Sequence, residues 1–385
     1  MTRSLRIAML AHSTIPRGGV VHALHLSEAL ADRGHDVVLH APDAQGEGFF
    51  RPARCATRPF AVSRAARDVH AMIEQRVADY VAHFWASENR GFDVYHAHDG
   101  ISGNALATLK AEGLIDGYVR TVHHIDDFPD PRIAELQARS IREADAWMTV
   151  SCLWRDALSQ RFGVEATVGG NGVDLTRFRP EPDGREPELR RRLGLGPGPI
   201  FLCVGGVEAR KNTLRMLEAF AVLAAMRPDA ELVIAGGASL LDHDAYQRGF
   251  SERLANLGPV AASVRRLGVI ADRDMPRLYR LASALVFASV KEGFGLCVIE
   301  AMASGVPVVA PSIQPFVGYL APQDALWCDP QRVQTIADAM AMALREDLAR
   351  ALRAHGPTVA ARFDWRAVAE AHEPQYQRLL EVANA

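Results

Sequence analysis

Apolar and polar positions fall into two successive series along this chain, each reading as short buried strands separated by amphipathic helices. The first series opens with LRIAML, continues with a helical pattern from about Val20 to Asp32, and returns to an apolar run at HDVVLHA. DVYHAH, YVRTVHH and AWMTVS are further strand candidates, each followed by helical sequence. The pattern restarts after Gly198, where PIFLCVGG, AELVIAGG, SVRRLGV, ALVFAS and PVVA read as strands with helices between them. Short apolar strands alternating with helices predict parallel sheets covered on both faces.

Between the two series lies RPEPDGREPELRRRLGLGPGP, residues 179–199, rich in Pro and Gly and polar at its start. It is the expected hinge. The chain is therefore expected to form two doubly wound α/β domains of similar size, 1–178 and 179–363. Beyond Phe363, DWRAVAEAHEPQYQRLLEVA is a final helical pattern that Pro374 is expected to interrupt. Ligands of such sheets bind beyond the C-terminal strand ends, so two facing sheets imply a cleft between the domains.

Composition narrows the picture. The chain has 385 residues, too many for one ordinary core. No apolar run reaches the roughly 18 residues of a membrane span. The opening MTRSLRIAMLAHS reads as a first buried strand and not as a signal peptide. Five cysteines, odd in number and scattered, give neither a disulfide framework nor a zinc site, and a cytoplasmic protein is the simplest reading. A formal net charge of -3 leaves no basic footprint for nucleic acid. Of 43 basic residues only Lys110, Lys211 and Lys291 are lysine. Chance accounts for Lys110 on the surface; Lys211 suggests a need for a compact ammonium.

The strongest chemical signal is KEGFGLCVIEAMASGVPVVA, residues 291–310. Gly293 and Gly295 make a tight loop after a strand, and helical sequence runs from about Leu296 to Ser304. A glycine loop opening a helix offers backbone N–H groups and a positive dipole end to a phosphate. Glu292 precedes the loop and Glu300 lies inside the helix; sugar and ribose hydroxyls would give two carboxylates beside an anion site a purpose. The second signal is VGGVEARKN, residues 204–212, where a strand ends in Gly205 and Gly206 and two cations, Arg210 and Lys211, stand before a helix. Cations are disfavoured at a helix N-terminus, so their presence points to an anionic ligand such as a diphosphate. The third is IPRGGVVHA, where Gly18 and Gly19 let backbone approach a ligand.

Histidine and aspartate cluster at two strand ends, HAHD (His96 to Asp99) and HHIDD (His123 to Asp127). A metal site is one reading, since His-x-His on a strand puts both rings on one face. Polar groups of the cleft for His123 or His124, and buried structural histidines for His96 and His98, are the others.

Taken together, these segments resemble a known family. EGFGLCVIEAMASGVPVVA is similar to the E-x7-E signature of retaining glycosyltransferase family 4, and GGVEARKN to its phosphate-binding segment. PRGGVVHALHLSEALADRGHDV resembles its N-terminal glycine loop and first helix, and NGVDLTRFRP the segment leaving its N-terminal domain. The resemblance implies the GT-B fold: two Rossmann-like domains facing across a cleft, donor in the C-terminal one, acceptor mainly in the N-terminal one, and the last helix, 364–385, packed back on the N-terminal domain. It implies transfer of a sugar from a nucleotide sugar to a hydroxyl acceptor with retention, without metal or other cofactor. By the family pattern Arg210 and Lys211 hold the diphosphate and Glu300 the ribose. Glu292, with the backbone of Gly293, Phe294, Gly295 and Leu296, holds the donor sugar. His123 falls near that sugar, and Gly18, Gly19, Gly205 and Gly206 lie against the donor. The catalytic candidates are His123, Glu292, Lys211 and Arg210. Two departures stand out. Many members carry arginine where this chain has Gly206, and PSIQPFVGYLAP lacks the acidic residue many members have there. A nucleotide-sugar epimerase, a non-catalytic sugar-nucleotide binder and a metal hydrolase are the alternatives.

Overall fold

The computed structural model describes residues 3–66, 68–237 and 243–383. The chain forms two compact units, one comprising the residues up to Gly172 together with those from Trp365 onward, the other Val173–Asp364.

The first unit is a seven-stranded sheet in the order β3-β2-β1-β4-β5-β6-β7, every neighbouring pair parallel. The strands are β1 (Arg6–Leu10), β2 (Asp36–Asp43), β3 (Ala56–Ala61), β4 (Val94–Ala97), β5 (Val119–Val122), β6 (Ala146–Thr149) and β7 (Ala166–Val168). Central strands β4 and β5 are buried along their whole length, as a parallel sheet covered on both faces requires. Part of the core between the sheet and helices Val69–Trp85 and Gly100–Ala111 is made by Leu10, Tyr80, Phe84, Tyr95, Leu106 and Tyr118. The strand order reverses between β1 and β4, so the carboxyl ends of these two strands flank the crevice where such sheets take ligands.

The second unit repeats the plan with six parallel strands in the order β10-β9-β8-β11-β12-β13. These are β8 (Ile200–Val204), β9 (Glu231–Ala235), β10 (Val264–Gly268), β11 (Ala284–Val286), β12 (Val308–Pro311) and β13 (Leu326–Cys328). Phe201, Leu217, Phe220, Phe250, Ile336 and Met340 are among the side chains of its core. Its strand order reverses between β8 and β11.

Two local expectations change. Residues 179–199 are not a plain hinge: they contain the helix Glu186–Arg192, and the units divide earlier, after Gly172. The segment is tied down by charge, with Arg277 on Asp183 at 2.8 Å and Arg280 on Glu186 at 2.7 Å. Pro374 does not interrupt the last helix, which runs from Trp365 to Ala383. A proline removes one ladder bond, but this helix is held to the first unit on both sides of it. Glu373 takes Arg33 at 2.6 Å, Gln375 donates to Thr167 at 2.7 Å, and the Tyr376 hydroxyl meets His96 Nδ1 at 2.8 Å.

Candidate active site

In the second unit, β8 is followed by Gly205, whose φ of +135° is a conformation glycine adopts readily. A side chain there would meet Lys211, because an added Cβ would lie 3.0 Å from Lys211 Cε. The chain then runs to Asn212, which takes a left-handed conformation (φ 60°) just ahead of helix Thr213–Ala224. Asn212 holds that strained turn by donating from Nδ2 to Ala288 O at 2.9 Å and Pro330 O at 2.7 Å, tying it to the segments beyond β11 and β13. This anchoring is what presents Arg210 and Lys211 at the strand ends.

Both cations converge on one carboxylate. Glu292 Oε1 accepts from Arg210 Nη1 at 2.6 Å and lies 2.9 Å from Lys211 Nζ. Lys211 Nζ also sits 4.6 Å from the centre of the Phe287 ring, a cation–π contact. Glu208, buried, lies 3.7 Å from Arg210. Burial works to raise the Glu292 carboxyl, but Lys211 and Arg210 outweigh it and hold it below the usual carboxylate range. The group therefore stays ionised at neutral pH.

Glu292 leads into the glycine loop and helix Leu296–Ala303, capped by Gly295 at φ +95° with no side-chain cap. The first N–H groups of a helix lack intrahelical acceptors, so this end can take an anion. The Phe294 side chain stacks on Tyr319 at 4.6 Å, and the Tyr319 hydroxyl donates to Phe294 O at 2.8 Å. Phe294 thus clamps the loop. Further along the helix, Glu300 Oε2 accepts from the Tyr279 hydroxyl at 2.7 Å. Burial pushes the Glu300 carboxyl up to about 7, opposed by the Tyr279 hydrogen bond and by Arg177. Sequence reasoning missed Tyr279 and Phe287, whose local sequences carry no chemical pattern, and gave no role to Glu208 within VGGVEARKN. Only the fold brings them to the signature.

In the first unit, Gly18 and Gly19 open helix Gly18–Asp32, and Gly19 lies beside the His123 ring: an added Cβ would be 3.6 Å from His123 Cδ2. His123, just past β5, is 3.3 Å through Nε2 from His98 Nδ1. The His22 ring meets it edge-on at 4.8 Å, and His22 Nδ1 is 2.7 Å from Asn171 Oδ1. His96 is committed to Tyr376 and, at 2.7 Å, Thr121. Among the described residues, no three His, Cys, Asp or Glu side chains come together as metal ligands, so HAHD and HHIDD do not assemble a metal centre there. Nor is any helix among the described residues long and apolar enough to cross a membrane.

Residues 16–177 match the family described as Glycosyltransferase Family 4, and residues 185–357 match Glycosyl transferases group 1. The chain is a family 4-type glycosyltransferase. Among its curated relatives, glycogen synthase of Mycobacterium tuberculosis is 27% identical over 387 residues, covering 92% of this chain and 89% of that protein. D-inositol 3-phosphate glycosyltransferase of Corynebacterium jeikeium is 26% identical over 411 residues, 97% of each chain. Sucrose-phosphate synthase from Thermosynechococcus elongatus superposes with a TM-score of 0.79 at 23% identity, over 99% of this chain and all (100%) of that one. Anabaena HepE, solved in complex with UDP-glucose, gives 0.79 at 18% identity over 98% and 100% of the two chains. The glycosyltransferase shares the GT-B fold with these structures.

Proposed function

We propose that this glycosyltransferase moves a sugar from a nucleoside diphosphate donor to a hydroxyl acceptor, with retention at the anomeric carbon and without a divalent metal. The observation that carries the reading is the meeting of Lys211, Arg210 and Glu292 at the opening of helix Leu296–Ala303. Breaking a sugar–phosphate bond builds negative charge on the leaving diphosphate and positive charge on the sugar. Two side-chain cations and a helix N-terminus are a preorganised receptor for the first, and the ionised Glu292 faces the second. Glu300 accepts hydrogen bonds from the ribose hydroxyls, and His123 contributes a polar contact to the transferred sugar. The Anabaena relative in complex with UDP-glucose supports a nucleotide sugar as donor.

Retention without a covalent enzyme intermediate follows the family resemblance; attack comes from the face the leaving group vacates. A thermal-shift screen of uridine, guanosine and adenosine diphosphate sugars tests the reading. A ligand at 100 times its dissociation constant adds about 2.7 kcal/mol to stability. One nucleotide sugar is expected to raise Tm clearly. Absence of any shift across the panel, with the free diphosphates also inert, sinks the proposal.

A further inference from the structure

We infer that His98 is a positioning residue that dictates which nitrogen of His123 carries its hydrogen, leaving His123 Nδ1 as a bare hydrogen-bond acceptor. The functional part of this inference rests on the reading of His123 as a contact to the transferred sugar.

A short chain of contacts fixes the tautomer by elimination. His98 Nε2 faces the sulfur of Met9 at 2.7 Å, and both residues are buried. A thioether has no hydrogen to give and accepts only weakly. Two lone pairs cannot be pressed together there, so the hydrogen of this contact belongs to His98 Nε2. A neutral imidazole has a single N–H, which makes His98 Nδ1 an acceptor. That nitrogen lies 3.3 Å from His123 Nε2. The hydrogen between them therefore sits on His123 Nε2, and His123 Nδ1 is left unprotonated.

Both rings are held neutral, as the elimination requires. Burial lowers the His98 imidazole well below its ordinary value, and the neighbouring rings of His96, His22 and His123 push the same way. Burial likewise lowers His123, followed by His22 and Arg120. The His96 and His98 ring centres are 4.3 Å apart, so a charge on one would be paid for by the other.

The tautomer has a chemical consequence. A bare Nδ1 accepts a hydrogen from a sugar hydroxyl and repels oxygens that only accept, such as those of a phosphate. His98 thus selects a neutral hydroxyl, not the diphosphate, as the partner of His123. The hydroxyl, lacking a fixed orientation of its own, is orientated by the acceptor it finds.

Nitrogen-15 NMR of histidine-labelled protein tests the tautomer directly, with His123 assigned by its disappearance in His123→Leu. The expected spectrum shows His123 Nδ1 as a bare nitrogen and Nε2 as an N–H. In His98→Leu, which offers no acceptor, the two forms mix; in His98→Gln, whose side-chain oxygen accepts, the Nε2–H form returns. Rates are read as nucleoside diphosphate release from the nucleotide sugar selected by thermal shift. His98→Leu is expected to lower kcat about tenfold, the scale of one lost hydrogen bond, with His98→Gln recovering part of it. A wild-type spectrum with Nδ1–H overturns the inference. So does a His98→Leu enzyme with full kcat beside an impaired His123→Leu. Full rates in both His98→Leu and His123→Leu sink instead the sugar-contact reading of His123, with the tautomer still decided by the spectrum.

Discussion

Lys211 Nζ lies 2.9 Å from Glu292 Oε1, and that same oxygen accepts Arg210 Nη1 at 2.6 Å. Glu292 thus stands between both cations, and with Glu208 3.7 Å from Arg210 the cluster sets two carboxylates against two cations. The ammonium is also confined: Phe287 lies below it and Gly205 gives its stem no extra room, since even a Cβ there would sit 3.0 Å from Lys211 Cε.

Lys211→Ala is expected to lower turnover by about 10²–10³, the usual effect of removing one electrostatic contact to a transition-state charge. Lys211→Arg should not restore it fully, because a planar guanidinium must approach in plane through a slot fitted to a narrow stem. Binding of the uncharged nucleoside should change little, while the nucleoside diphosphate binds more weakly. Calorimetry with both ligands, beside the turnover rate, checks this. A Lys211→Ala enzyme keeping a third of wild-type activity would mean that the diphosphate binds elsewhere.

Glu300 gives a pH signature. Burial raises its folded pKa to about 7, above the ordinary glutamate value of 4.5. The folded chain therefore binds more protons than the unfolded one between these values. Stability from this group is fully present below the lower value and is lost as pH rises through the upper one. Denaturant titrations from pH 4.5 to 8 should show this loss in the wild type and not in Glu300→Gln. Donor affinity should move oppositely: ribose hydroxyls donate to the ionised carboxylate, so binding tightens as pH rises through 7. A nucleotide sugar whose affinity has the same pH profile in wild type and Glu300→Gln would remove Glu300 from the ribose site.

Turnover is expected to persist in EDTA and to gain nothing from magnesium. In the proposed reaction Arg210, Lys211 and the start of helix Leu296–Ala303 meet the leaving group's charge in place of a metal. Complete loss in EDTA, restored by a divalent ion, refutes this.

The sequence showed the interior strands of both sheets and lost three of the four edges. Strands β1, β2, β4, β5 and β6, and β8, β9, β11 and β12, are apolar runs that can be read directly, and the largely exposed edge strand β10 is also read, from SVRRLGV. The strands left unread were β3, β7 and β13, each at the rim of its sheet. Strand β3 is largely exposed and carries Pro59, so neither hydrophobicity nor propensity marks it. The site followed the same logic. Gly205, Arg210, Lys211, Glu292 and Glu300 were legible because each sits in a local pattern of strand end, glycine and helix start. Tyr279 and Phe287 were not, because their roles arise only from tertiary contact. The tie of Asn212 to Ala288 and Pro330 was hidden for the same reason.

Gly295→Ala should weaken donor binding and lower stability together, and the reason is a line of contacts. Gly295 has φ +95°, where an L side chain is strained. Its added Cβ would fall 2.7 Å from Phe316 Cε1, and Phe316 is fully buried (0% exposed). Phe316 cannot yield freely, because its ring meets Phe287 at 5.5 Å, and Phe287 is the ring beneath Lys211. The methyl group thus disturbs two parts of the site: the helix start proposed to take the phosphate and the floor under the ammonium. Overpacking of this kind typically costs about 1–3 kcal/mol. Phe316→Leu alone opens space and should be milder for binding. In the double variant the clash is relieved while the φ strain at residue 295 remains, so its loss of stability should be smaller than the sum of the single losses. A double-mutant cycle on donor affinity and on denaturant stability separates the two effects. If the cycle shows no coupling between residues 295 and 316, or if Gly295→Ala binds the nucleotide sugar as the wild type does, the glycine is not what shapes this end of the helix for a phosphate.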